Sequence, residues 1–189
     1  MAYKVLNNVS VKDVTSSDLL SLKTDLLVIV INKNTKDKVV NQLAKDVSSH
    51  LKESGSSVLV PNAKSFNAKN VLLVKGFQDS DQIHKLISMY QSIAQKGNQL
   101  KAKDISIMPG TVYPKGKCEM WLIEIVAKTI ESNVYIFSET CNKTAKKPSV
   151  KKLNILVSSL TKSDLIKAKN AAKKGYAIGE GVNLSLIHI

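Results

Sequence analysis

The sequence contains no arginine: all 28 basic residues are lysines, and against 15 acidic residues they give a formal net charge of +13. Arginine supplies the planar guanidinium group that grips phosphates and guanine edges with two hydrogen bonds at once. Its absence argues against base-specific reading of DNA but leaves sequence-independent attraction to polyanions open. A genome composition that favours lysine would produce the same surface, so the charge alone identifies no partner.

Cysteines and long apolar runs are also scarce. Only Cys118 and Cys141 occur, without a CxxC spacing, which is typical of a reducing compartment rather than of a secreted disulfide scaffold. The longest purely aliphatic run, Leu26–Ile31, is too short to span a membrane, and no basic and apolar leader follows Met1. These absences predict a soluble, cytoplasmic protein with no membrane partner. Cys118 is interpreted as a small buried hydrophobe.

The usual motifs of catalytic chemistry are missing as well. The sequence has no HExxH or HxH spacing, no GxSxG nucleophile elbow and no P-loop. Its closest glycine cluster, Gly175, Gly179 and Gly181, has a GxxxGxG spacing inside a predicted helix, which is not a dinucleotide fingerprint. We therefore predict no catalytic residue and no metal ligand in this chain. The three histidines are isolated in the sequence: His50, His84 and His188.

Strand-like and helix-like segments alternate along the chain. Short runs of β-branched and aliphatic residues predict strands at 3–11, 25–31, 57–60, 70–74, 104–108, 134–137 and 152–157. Apolar residues at steps of three and four predict helices over 36–53, 79–96, 118–130 and 163–182. Such alternation predicts parallel strands joined by helical crossovers, and hence an α/β fold of three layers around a mostly parallel sheet.

Composition suggests where this fold ends. Residues 1–139 hold most of the predicted elements, whereas 140–150 are rich in lysine and nearly free of apolar residues, as in an exposed linker. Residues 140–174 carry 10 lysines against one acid, a net charge of +9. This basic segment is a nucleic-acid contact, a contact to an acidic subunit or a solvated face. The residues predicted for the nucleic-acid contact are Lys143, Lys146, Lys147, Lys151 and Lys152.

The last part of the chain carries a family resemblance. KKLNILV at 151–157 and AKNAAKKGYAIGEGVNL at 168–184 resemble the junction at which leucyl aminopeptidases enter their catalytic domain, with its phrase G-x-A-I-A-x-G-V-N-L. Upstream, TDLLVIVI at 24–31 and NVLLVKGF at 70–77 resemble strands of the same family. The resemblance implies an amino-terminal, macro-like α/β domain at 1–139, the linker at 140–150, and the start of the catalytic domain at 151–183.

That family removes amino-terminal residues from peptides at a site with two divalent metal ions, zinc or manganese, and the resemblance implies a homo-hexameric parent. Its signature N-T-D-A-E-G-R contains arginine, so it cannot lie in this chain. The chain alone is therefore expected to bind no cofactor and to be inactive. Residues 184–189, LSLIHI, match what the end of a sequencing transposon encodes in one reading frame, and we interpret them as an adaptor artefact.

Two other functions stay open. One is a stand-alone ligand-binding module, since the predicted layers are similar to macro-type domains that bind ADP-ribose. Those domains use glycine-rich loops, whereas the turns at 61–64 and 109–114 contain a single glycine here. The other is a non-specific nucleic-acid-binding domain, suggested by the lysine cluster.

Overall fold

A computed structural model describes residues 6, 8–32, 40, 45, 51, 53–77, 83–110, 114, 116–135, 148–158 and 160–187. Within these residues, six strands and four helices have described bounds. The strands are β1 (Asn8–Asp13), β2 (Leu26–Ile31), β3 (Ser57–Pro61), β4 (Asn70–Lys75), β5 (Asp104–Met108) and β6 (Lys152–Val157). The helices are α1 (Ser16–Ser21), α2 (Ile83–Gln99), α3 (Glu119–Val134) and α4 (Lys162–Ile187).

All six strands form one sheet in the order β1-β6-β5-β2-β4-β3. Every neighbouring pair is parallel except β3 and β4, which are antiparallel. Strands that are parallel neighbours need crossover connections; α3 lies between β5 and β6 in the chain, and α2 lies in the connection from β2 to β5. The predicted α/β fold with a mostly parallel sheet is therefore confirmed.

The aliphatic run of β2 is explained by its central place in the sheet. Leu26, Val28 and Val30 point into a core shared with α2, α3 and α4, and the alternate residues Leu27 and Ile29 point into a second core on the other face. All five are less than 5% exposed. A strand covered on both faces needs apolar residues at every position, which is why no alternation of polar residues is seen.

Helices α2 and α3 cover the first face through apolar residues at helical spacing. On α2 the buried positions are Leu86, Met89, Tyr90, Ile93, Ala94 and Gly97. On α3 they include Leu122, Ile123, Val126, Ala127 and Ile130. The opposite face is covered partly by α1, through Leu19, and by the connection between β3 and β4, through Ala63 and Phe66. Thr15 caps α1 in a capping box with Asp18, whose carboxylate lies at the positive end of the helix.

Two predicted elements differ from the structure or lie outside it. Val134 was predicted to begin a strand, but it is the last residue of α3 and is completely buried on the face that this helix turns to the core. A β-branched, apolar segment fits either element, and packing decides between them. Residues 136–137 lie outside the described residues. So does most of the predicted helix at 36–53, in which Val40 and Lys45 are helical.

The predicted division after residue 150 is wrong for the sheet. β6 lies between β1 and β5 and pairs with both, so residues 152–157 belong to the same fold as the strands before residue 139. Leu153 and Ile155 are completely buried in the core shared with α2 and α3. The lysine-rich composition of 140–150 marks a connection within one fold and not a domain boundary.

Among the described residues, no helix is both long enough and apolar enough to cross a membrane.

Candidate functional site

The amino edge of the sheet, where the parallel strands begin, gathers several polar side chains. The Thr24 hydroxyl, just before β2, donates to Asp104 Oδ2 at 2.6 Å, and Asp104 is the first residue of β5. The Asp25 backbone N–H donates to the other oxygen, Asp104 Oδ1, at 3.3 Å. Both carboxylate oxygens of Asp104 therefore accept hydrogen bonds from the segment that leads into β2, and this joins the starts of two strands.

Asp25 provides the second carboxylate of this edge. It forms an ion pair with Lys69 and accepts a hydrogen bond from the Lys103 backbone N–H at 2.8 Å. The hydrogen-bonded Lys69 ammonium lowers the pKa of Asp25 and, together with the Lys103 N–H, outweighs the opposing effect of burial. Asp25 is thus ionised at neutral pH and connects the starts of β2, β4 and β5.

A cleft of about 330 Å³ opens between these strand starts. Its lining contains no apolar residue and consists of Lys23, Thr24, Asp25, Asn67, Lys69 and Asp104. Because both carboxylates are already held by neighbouring donors, the cleft is poorly suited to a cation. The lining holds two lysines and two aspartates, and Lys23 is exposed and forms no ion pair with a described residue.

Two of the predicted nucleic-acid contacts, Lys151 and Lys152, lie at this same edge. Their backbone N–H groups both donate to the Lys103 carbonyl, at 2.7 and 3.2 Å, and all three side chains are exposed. Lys103 and Lys23 also lie at this edge but were not predicted, because each is a single lysine shortly before a predicted strand. The other predicted contacts lie outside the described residues: Lys143, Lys146 and Lys147.

A chain of hydrogen bonds links three strands and the segment that leads into β2. Ser10 Oγ donates to Asn154 Oδ1 at 2.8 Å, Asn154 Nδ2 donates to Ser106 Oγ at 3.1 Å, and Ser106 Oγ donates to Thr24 Oγ1 at 3.1 Å. These side chains lie at matching registers on β1, β6 and β5. Such a satisfied chain fixes the relative positions of the strands at the amino edge.

The opposite, carboxyl edge is built around Asn32, which follows β2. A β-carbon added at Gly76 would overlap Asn32 Oδ1, and one added at Gly110 would lie 2.5 Å from Asn32 Nδ2. Gly110 also has a φ of +79°, which side-chain-bearing residues rarely adopt. Nearby, the fully buried Tyr90 donates its hydroxyl to the Pro109 carbonyl at 2.9 Å. Open α/β sheets commonly bind ligands at this edge.

Helices α3 and α4 run parallel and approach each other through glycines. A β-carbon at Gly175 would overlap the Glu124 carbonyl, and one at Gly179 would lie 2.8 Å from the Lys128 carbonyl. One turn later, Asn183 Nδ2 donates to the Glu131 carbonyl at 3.2 Å. The GxxxGxG spacing is therefore a packing motif, in which the first two glycines let two helix backbones meet.

Metal-binding groups do not cluster in the part of the chain that the structure describes. No group of three or more His, Cys, Asp or Glu residues there is placed to hold a metal ion, so these residues do not fit a dinuclear centre. His84 is exposed on α2, and His50 and His188 lie outside the described residues. Cys118 is exposed, contrary to the prediction, because it precedes the first turn of α3 instead of facing the core.

No protein-family model and no curated protein sequence matches the chain. The fold is similar to a mutant of tomato leucine aminopeptidase (TM-score 0.62, 20% identity), over 90% of this chain and 36% of that one. It is also similar to the macro domain of ganglioside induced differentiation associated protein 2 (TM-score 0.61, 16% identity, 91% and 86% covered). A third similar structure is the bottromycin maturation enzyme BotP in complex with Mn (TM-score 0.57, 14% identity, 86% and 31% covered).

At these identities the likeness shows the fold alone. The chain spans about a third of the tomato enzyme and of BotP, and most of the macro domain. The macro-like description of the α/β fold is confirmed.

Proposed function

We propose that this chain is the amino-terminal, non-catalytic domain of a dinuclear metal-dependent leucyl aminopeptidase that removes amino-terminal residues from peptides. The observation that carries the proposal is the likeness to tomato leucine aminopeptidase, which takes in 90% of this chain but only 36% of the enzyme. BotP gives similar proportions, with 86% and 31% covered. In both cases the matching region leaves most of the larger protein for another domain.

The resemblance of GYAIGEGVNL to the aminopeptidase phrase supports the proposal. This segment of α4 has one side that packs against α3 and another side that is exposed. Gly175, Gly179 and Asn183 face α3 and fix the helix to the fold. Ile178 and Val182, on another side of α4, are 38% and 39% exposed. In the proposed parent, this exposed apolar stripe is available to the domain that follows.

The metal chemistry of the proposed parent resides outside the residues described here. We expect the parent to be a cytoplasmic homo-hexamer that binds two zinc or manganese ions in its catalytic domain. Metal ions in such sites activate water and stabilise the developing oxyanion together, which requires ligands that the described residues do not assemble. The role proposed for this domain is to shape access to the catalytic face and to contribute to assembly.

The test is to extend the reading frame beyond Asn183 and to compare the longer product with the 189-residue chain. We expect the longer product to release leucine from a leucine anilide with zinc or manganese and to lose this activity when a chelator is added. The short chain should show none. Metal-dependent activity in the short chain, or a continuation without a carboxylate-rich metal site, would refute the proposal.

A stand-alone ligand-binding module is the second candidate, favoured by the 86% coverage of the macro domain. Its binding site would lie at the carboxyl edge around Asn32. A calorimetric titration with ADP-ribose tests this, using Gly110→Val to fill the space beside Asn32. Gly116→Ala is the matched control, because Gly116 also has a positive φ but no atom within 4 Å of an added β-carbon. ADP-ribose binding that only Gly110→Val abolishes would favour the module, whereas the aminopeptidase proposal predicts no binding.

A further inference from the structure

The amino edge carries a set of exposed lysines to which the proposed function gives no role. We propose that Lys23, Lys103, Lys151 and Lys152, here named the amino-edge lysine row, bind the phosphate backbone of a nucleic acid without reading its sequence. This inference does not depend on the aminopeptidase proposal. It places the predicted basic contact at the amino edge and adds Lys23 and Lys103, which precede β2 and β5.

The backbone of the sheet sets the relative positions of the row lysines. Lys103 directly precedes β5, Lys151 directly precedes β6, and both Lys151 and Lys152 hydrogen-bond the Lys103 carbonyl through their backbone N–H groups. Lys23 lies three residues before β2, which is on the other side of β5, and lines the cleft. Three neighbouring strands about 4.8 Å apart give the row a length of roughly 10 Å. One strand of duplex DNA carries a charge about every 3.4 Å along the axis, so the row matches about three phosphates.

The lysines of the row outnumber the acidic residues beside them. All four side chains are exposed, and none forms an ion pair with any residue that the structure describes. Two carboxylates lie at the same edge: Asp25 pairs with Lys69 and also interacts electrostatically with Lys103, and Asp104 lies opposite Lys152 in the register of β5 and β6. The four row lysines and Lys69, set against Asp25 and Asp104, leave this edge with a formal net charge of +3, which favours a polyanion.

A nucleic acid suits this surface better than an acidic protein does. The cores of protein interfaces are apolar and poor in lysine, whereas the cleft beside the row has no apolar lining residue. Lysine ammonium groups neutralise phosphates as point charges and lack the fork that reads guanine. The expected binding is consequently weak, indifferent to sequence and steeply dependent on salt.

The experiment compares two variants of the 189-residue chain that lose the same charge at different places. The row variant replaces Lys23, Lys103, Lys151 and Lys152 by Gln. The control variant replaces four other exposed lysines, which also form no ion pair with described residues, by Gln: Lys85, Lys162, Lys169 and Lys173. Each protein is titrated against a random-sequence DNA duplex at several salt concentrations, and circular dichroism checks that both variants remain folded.

Three phosphate contacts at about 0.9 each give a slope of about −2.7 in log K against log salt, or roughly a 40-fold loss of affinity between 50 and 200 mM salt. We expect the row variant to lose most of that slope and the control variant to keep it. Equal losses in the two variants would mean general attraction by net charge and would overturn the proposal. So would no binding by the unmodified chain at low salt, or equally effective displacement of the duplex by poly-glutamate.

Discussion

Two regions join the part of the chain before residue 135 to the part after residue 148. One is the contact between α3 and α4, the other is the amino edge of the sheet, and the two differ in their interactions. At the helix contact, Gly175 and Gly179 let backbone lie against backbone, with Ala168 and Ala172 buried on the same helix. At the amino edge, the backbone N–H groups of Lys151 and Lys152 donate to the Lys103 carbonyl, and the side chains of these residues are exposed. Close packing tolerates little change, whereas a solvated edge leaves its side chains available for a partner.

The largest expected effect comes from removing residues 151–189. β6 is the strand between β1 and β5, so its loss leaves β1 without a neighbour in the sheet and opens the edge of β5. It also removes the buried residues Leu153, Ile155 and Leu156, each worth about 1.5 to 3 kcal/mol of burial. Their sum is comparable to the 5 to 15 kcal/mol that stabilises a whole domain.

We therefore expect residues 1–150 to show no cooperative unfolding in urea, measured by circular dichroism, and to aggregate through the exposed sheet edge. A chain that ends at Ile187 keeps every described element and should unfold cooperatively. A cooperative transition in residues 1–150 would restore the domain boundary predicted from composition.

The next effect contrasts two glycines of the same helix. Gly175→Ala places a methyl group against the Glu124 carbonyl, which is backbone and cannot rotate away. Overpacking costs typically 1 to 3 kcal/mol, and we expect a net loss of about 2 kcal/mol despite the better helix propensity of alanine. Gly181→Ala is the matched control, since nothing lies within 4 Å of its added β-carbon, and it should gain about 0.5 to 1 kcal/mol. Urea unfolding of both variants gives the two signs, and two gains would show that the helices do not meet at Gly175.

The sequence predicted the strands more reliably than their arrangement. β5 and β6 have the predicted bounds, because short apolar runs between polar residues leave few alternatives. That β6 lies between β1 and β5 is decided by contacts between residues far apart in the chain, for which the local pattern carries no signal. Composition at 140–150 suggested a boundary because a polar connection between elements of one fold resembles a polar linker between two domains.

The candidate surface was predicted only in part for the same reason. Lys151 and Lys152 were recognised from a local excess of lysine. Lys23 and Lys103 each stand near acidic residues in the sequence, so their charge excess is visible only once the sheet brings three strand starts together. The role of the GxxxGxG spacing likewise required knowing which side of α4 faces α3.

A smaller effect concerns the pH dependence contributed by Asp25. The pKa of Asp25 is lowered in the folded protein from 3.8, mainly by the hydrogen-bonded Lys69 ammonium. A carboxyl whose folded pKa is depressed stabilises the fold above its unfolded pKa, and the contribution disappears as pH falls through the folded value. We expect Asp25→Asn to cost about 1 to 2 kcal/mol at pH 7 and progressively less below about pH 4.

The partner variant Lys69→Gln keeps the hydrogen bond from the Lys103 N–H to Asp25 and should cost less, because the Lys69 side chain is 73% exposed and exposed pairs contribute about 0 to 1 kcal/mol. Urea unfolding at several pH values measures both variants. A difference between unmodified chain and Asp25→Asn that stays constant down to pH 2 would show that Asp25 is not held by these donors.

The smallest expected effect on folding comes from the amino-edge lysine row itself. Exposed substitutions away from packed or capped positions change stability by about 0.5 kcal/mol or less per site. Replacing the four lysines by Gln also relieves repulsion among like charges in a chain of net charge +13, so any change should be a gain that fades as salt is added. We expect the free energy of unfolding of the row variant in low salt to equal or slightly exceed that of the unmodified chain. A loss of more than about 2 kcal/mol over the four sites would mean that these side chains stabilise the amino edge, as Asp25 and Asp104 do. The amino edge and the contact between α3 and α4 would then both stabilise the fold. Unchanged stability of the row variant together with a reduced salt slope for duplex binding would show that the two regions have different roles. Packing between α3 and α4 then maintains the fold, and the amino edge presents charge to a partner.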